Sequence, residues 1–74
     1  MRLKINLDTQ SAVLDMVKVA TTIEEPVYIT NADRSLIVSA KSLLGTRYAS
    51  LEWYDLFVEC EKDIYLDIIP FLAE

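Results

Sequence analysis

Reactive side chains are few in this sequence, and their spacing narrows the chemistry. There is one cysteine, Cys60, and no histidine. Without an imidazole the chain lacks the usual general base near neutral pH, the usual phosphohistidine and the commonest metal ligand. Cys60 falls on an inward position of an alternating apolar segment with nothing to activate its thiol, so it reads as a small core hydrophobe. The carboxylates of Glu52, Asp55, Glu59, Glu61, Asp63 and Asp67 fit no ligand spacing and read as a solvated acidic face. Thr9 and Ser11 stand where a helix begins and read as caps. Ser42 remains, in the run Lys41-Ser42-Leu43-Leu44-Gly45. Taken by itself it reads as an ordinary first-turn residue of a helix. No metal or cofactor is expected, and the chain is not expected to be an enzyme.

The periodicities supply the elements that would hold these groups. Leu3, Ile5 and Leu7 alternate with polar residues as a half-buried strand does. Thr9, Gln10 and Ser11 then offer caps to a helix whose apolar face is Ala12, Val13, Met16, Val17 and Ala20, ending between Thr21 and Glu25 ahead of Pro26. Val27 to Thr30 and Leu36 to Val38 read as strands joined by the polar turn Asn31 to Ser35. Ser39 to Leu44 reads as a brief helix closed by Gly45 in the left-handed conformation. Leu51 to Cys60 reads as a strand, with Tyr54, Leu56, Val58 and Cys60 on one face and Trp53, Asp55, Phe57 and Glu59 on the other. Asp63 caps a last short helix carrying Ile64, Ile68 and Phe71, broken near Pro70. The order β-α-β-β-α-β-α predicts an α+β open-faced sandwich, a four-stranded antiparallel sheet covered on one face by helices.

With 74 residues the chain forms one domain, taken as residues 1–74, and buries only about 60% of its unfolded surface. Twelve acidic residues against seven basic give a net charge of −5, which repels phosphate backbones and anionic lipids, so neither nucleic acid nor membrane is an expected partner. No apolar run approaches the roughly 20 residues of a membrane-spanning helix. A lone cysteine and the lack of a secretory segment after Met1 fit a cytoplasmic location.

In element order, length and the segment Ala40-Lys41-Ser42-Leu43-Leu44-Gly45, the chain resembles the histidine-containing phosphocarrier family, HPr, of the bacterial sugar phosphotransferase system. In that family a similar Lys-Ser-hydrophobic-hydrophobic-Gly segment begins the short second helix, and its serine is the regulatory phosphorylation site, which maps onto Ser42. Family members also carry Gly-x-His-Ala-Arg-Pro between the first strand and first helix, where the histidine relays phosphate. Here Asp8-Thr9-Gln10-Ser11-Ala12 fills a shorter loop, so the resemblance implies an HPr-like fold that has lost its phosphohistidine.

The expected function is therefore that of a non-catalytic HPr-like protein acting through protein contacts, within phosphotransferase regulation or sugar-uptake control. Two alternatives stand beside it. One is a module phosphorylated at Ser42 that docks a transcriptional regulator; the other is a structural or oligomerising α+β module unrelated to sugar transport. Candidate partner-binding residues are Leu43, Leu44, Arg47, Tyr48 and Trp53, with homo-oligomerisation as one form of contact. Leu43, Leu44 and Tyr48 form either an exposed apolar patch or part of the core beneath the sheet. Trp53 and Phe57 are expected to share the outer face of the last strand, where aromatics are costly to leave wet.

Overall fold

The structure, a computed structural model, describes residues 1–73. Four strands, β1 (Arg2–Ile5), β2 (Val27–Thr30), β3 (Ile37–Ser39) and β4 (Leu56–Cys60), form one antiparallel sheet in the order β1-β4-β2-β3. Three helices accompany it, α1 (Gln10–Thr21), α2 (Leu43–Glu52) and α3 (Tyr65–Ile68), the last running into a 3₁₀ turn at Ile69–Phe71. The α+β class, the four-stranded antiparallel sheet and the three helices expected from the sequence are thus present.

Alternation decides which face of the sheet is dry. Ile5 in β1, Val27 and Ile29 in β2, and Leu56, Val58 and Cys60 in β4 are buried, and they share one core with Val13, Met16 and Ala20 of α1 and with Ile64, Ile68 and Phe71. The three-and-four spacing of Val13, Met16 and Ala20 turns one stripe of α1 onto the sheet. Thr9 starts this helix as expected, its Oγ1 accepting from the Ala12 amide at 3.0 Å. Cys60 is a buried free thiol. The opposite sheet face carries Arg2, Lys4, Tyr28, Phe57 and Glu59.

Several boundaries differ from expectation. β1 ends at Ile5, and Leu7, although buried, lies beyond it. β3 begins at Ile37, one residue late, because Leu36 closes the turn: the Asn31 amide donates to the Leu36 carbonyl, and the Leu36 amide donates to Asn31 Oδ1. Asp63 does not cap α3. The residue preceding that helix is Ile64, and Asp63 Oδ1 instead accepts from the Tyr65 amide as a local turn. The break at Pro70 takes the form of the 3₁₀ turn, in which the proline sits near the start, where no donor is required.

The largest corrections concern α2 and β4. The second helix is not a short one over Ser39 to Leu44 closed by Gly45; it has ten residues and begins where that one was to end. Ser42 is its N-cap, with Oγ accepting from the Gly45 amide at 3.1 Å. Gly45 therefore sits in the first turn with an ordinary backbone. Its lack of a side chain serves close packing instead, since a Cβ there would stand 3.2 Å from the Val38 Cβ of β3. The helix then absorbs Leu51 and Glu52, which leaves β4 five residues, Leu56–Cys60. Trp53 is the C-cap of α2, so it does not share a strand face with Phe57. Tyr54 is not inward but fully exposed.

Candidate functional site

Two groupings of side chains stand out, one polar and one apolar. The polar one lies on the open sheet face and centres on Glu59 of β4. Arg2 Nε donates to Glu59 Oε2 at 3.0 Å, Arg34 Nε donates to the same oxygen at 2.8 Å, and Arg34 also reaches Oε1. Thr30 Oγ1 adds a bond at 3.3 Å. Arg2 extends further, donating to the carbonyls of Asn31 and Ala32 at 3.0 and 2.9 Å, and its guanidinium lies 3.9 Å from the centre of the Phe57 ring. Arg34 reaches Glu59 from a left-handed backbone, φ 63°, which few arginines adopt. The hydrogen bonds from Arg34, then those from Arg2 and Thr30, hold the Glu59 carboxyl below its usual pKa against the opposing effect of burial. Every acceptor in this cluster is taken up internally, so it fastens β1 and the β2–β3 turn across the sheet. Glu59, expected on a solvated acidic face, instead has a side chain only 18% exposed and paired.

The apolar grouping lies on α2. Thr46 and Ala49 are buried and pin one side of the helix to the body. The other side presents Leu44, Tyr48 and Leu51, spaced by four and three residues so that they form one stripe. Leu44 is 83% exposed, Tyr48 57% and Leu51 72%. Of the two readings left open for Leu43, Leu44 and Tyr48, the structure therefore selects the exposed patch, with Leu43 at its margin. Arg47 is exposed beside the stripe and forms no ion pair among the described residues. Trp53 packs edge-on against Tyr48, with ring centres 6.4 Å apart and planes at 90°. Its indole Nε1 is buried without a hydrogen-bond partner among the described residues. All five proposed contact residues thus gather at α2 and its C-cap, and Leu51, assigned to a strand from sequence, joins them.

Next to the stripe, Arg47, Ser50 and Leu51 face Leu7, Asp8, Thr9, Gln10 and Val13 across a shallow groove of about 230 Å³. The loop that begins α1 and the exposed side of α2 therefore converge on one surface. Ser42 stands at the start of the same helix with its side chain exposed, one hydrogen bond already made to Gly45.

Among the described residues no cluster of three or more histidine, cysteine or acidic side chains is arranged around a metal position, and no helix is long and apolar enough to cross a membrane. No protein-family model matches this sequence, and neither a curated protein nor a solved structure matches it significantly.

Proposed function

We propose that this chain is a non-catalytic, HPr-like binding domain of the cytoplasm, unable to carry a phosphohistidine, that works by docking a protein of the sugar phosphotransferase system or its regulatory circuit on the exposed side of α2. The observation that carries this reading is the Leu44–Tyr48–Leu51 stripe, an apolar helix face left in water beside the loop Asp8–Thr9–Gln10. Thr9 in that loop is engaged as a helix cap, and a serine or threonine phosphate lacks the labile P–N bond of a relay. Partner chemistry follows from the surface: apolar side chains to cover the three residues, and a carboxylate to meet Arg47.

The test is titration of the labelled chain with enzyme I of the phosphotransferase system, with and without phosphoenolpyruvate. The reading predicts resonance shifts along α2 and no acid-labile phosphate on the chain. Labelling of the chain, or shifts confined to another surface, would contradict it.

A second reading is favoured by the placement of Ser42. The N-cap of a ten-residue helix is a position where a phosphate would keep the Gly45 hydrogen bond and gain the dipole, adding charge beside the apolar stripe. On this reading a transcriptional regulator docks the modified form. Treatment with an HPr kinase followed by intact-mass measurement tests it, an unmodified chain counting against it.

A further inference from the structure

The sheet has two edges, and the chain covers one of them itself. Along β1 the Asn6 amide donates to the Phe71 carbonyl at 2.8 Å and the Ala73 amide to the Lys4 carbonyl at 3.0 Å, with Ile5 and Leu72 bridged between them. Residues 71–73 therefore lie against that edge as a short added strand. β3 has no such cover among the described residues. In its ladder with β2, the bonds from Asn31 to Leu36 and from Ala40 to Val27 mark the hydrogen-bonded pairs. Antiparallel alternation then joins Val38 to Ile29 and turns the amides and carbonyls of Ile37 and Ser39 outward. The Ser39 carbonyl is taken by the Ser42 amide at 3.1 Å. The Ile37 amide, the Ile37 carbonyl and the Ser39 amide have no partner among the described residues. Leu36 and Ile37, beside them, are 47% and 57% exposed. An unpaired, apolar edge of this kind is a template for another strand.

We propose that β3 pairs antiparallel with β3 of a second copy of this chain, about a two-fold axis through Ile37, joining two four-stranded sheets into one of eight strands. Self-pairing is singled out by what this register brings together. The Ile37 amide of each copy donates to the Ile37 carbonyl of the other, so both unpartnered groups are used. Ser39 comes opposite Ser35 of the second copy. The Ser35 amide already donates to Asp33 Oδ1 at 3.0 Å and the Ser39 carbonyl already accepts from Ser42, so the groups left over are one donor, Ser39 N–H, and one acceptor, Ser35 C=O.

Charge agrees with the hydrogen bonding. The same register places the turn carrying Asp33 at the end of the junction where the turn after Ser39 of the second copy carries Lys41, once at each end. Among the described residues Asp33 forms no ion pair, and the Lys41 ammonium donates to the Glu24 carbonyl at 3.3 Å without a carboxylate partner. An axis through Val38 would instead aim the Ile37 amide at the Ser39 carbonyl that is already occupied. Leu36 and the paired Ile37 side chains supply apolar contact across the junction. Because β3 has three residues, the contact is small and the dimer reversible. It does not use the Leu44–Tyr48–Leu51 stripe, so it stands or falls independently of docking there.

Sedimentation velocity from about 10 μM to about 1 mM, paired with amide hydrogen exchange, tests it. The expected result is a mass rising toward that of a dimer, with exchange at the Ile37 and Ser39 amides slowing as concentration rises. Ile37→Pro deletes an amide that β2 does not use, and is expected to weaken the dimer at least about tenfold while circular dichroism and melting show the fold intact. Asp33→Lys should weaken it also, and Asp33→Lys with Lys41→Asp should restore it, which keeps the test decisive if the proline variant misfolds. A wild-type chain that remains monomeric over the whole range would overturn the proposal. So would a dimer insensitive to Ile37→Pro and abolished by Leu44→Ser.

Discussion

Glu59 links β4 to β1 through Arg2 and to the β2–β3 turn through Arg34, and its low pKa makes this link dependent on pH. A carboxyl whose folded pKa lies below its ordinary value of 4.5 contributes stability that is complete above that value and is lost as pH falls through the folded pKa. Asp33, whose carboxyl is lowered by its hydrogen bonds from Ser35, acts in the same direction. Thermal melts across acid pH should therefore show the wild type losing stability below about pH 4.5, with a shallower loss in Glu59→Gln. Near neutral pH, Glu59→Ala is expected to cost about 1–2 kcal/mol in urea denaturation, since Arg34 loses its carboxylate and Arg2 loses one acceptor while keeping the carbonyls of Asn31 and Ala32. Ser42→Ala should cost about 1 kcal/mol by the same measurement, from the lost cap on the Gly45 amide. Cys60 and Thr9 were legible one residue at a time, because burial and capping are local, whereas Ser42, expected inside the first turn of a helix from Ser39, is itself the cap. The Glu59 cluster was not legible, because its partners Arg2 and Arg34 lie 57 and 25 residues away in sequence and only the sheet brings them together.

The elements were legible in proportion to how plainly one face is apolar. β2 and the stripe of α1 follow directly from Val27–Thr30 and from Val13, Met16 and Ala20. Met16 is wholly buried between α1 and the sheet, so Met16→Ala is expected to cost about 3 kcal/mol in denaturant unfolding, a large share of the stability of so small a domain. α2 was misread because its signals conflict. The residues it buries are Thr46 and Ala49, weakly apolar, while those it exposes are leucines and a tyrosine, so the hydrophobic periodicity marks the wrong side. Gly45 compounded this, since a glycine after two leucines resembles a helix stop although its purpose is close approach to Val38. Trp53→Phe distinguishes packing from hydrogen bonding at the end of the helix. The indole donor has no acceptor among the described residues, so its removal should leave stability within about 1 kcal/mol of wild type, whereas Trp53→Ala should lower it further by emptying the contact with Tyr48.

In the whole molecule, the dry face of the sheet is closed by helices, the wet face carries the ionic cluster around Glu59 and the Lys4–Asp55 pair, and the apolar side of α2 is left uncovered. That division, legible in the sequence as an α+β layer but not as to which leucines face water, is what supports the proposal that the chain is a binding domain. The most direct measurement is an amide-resolved titration of the labelled chain with enzyme I, repeated with Leu44→Ala, Tyr48→Ala and Leu51→Ala together. The account predicts shifts concentrated on residues 43–53, loss of binding in the triple variant with the fold retained, and no acid-labile phosphate when phosphoenolpyruvate is added. Phosphate transferred to the chain, or binding that survives the triple substitution unchanged, would contradict it.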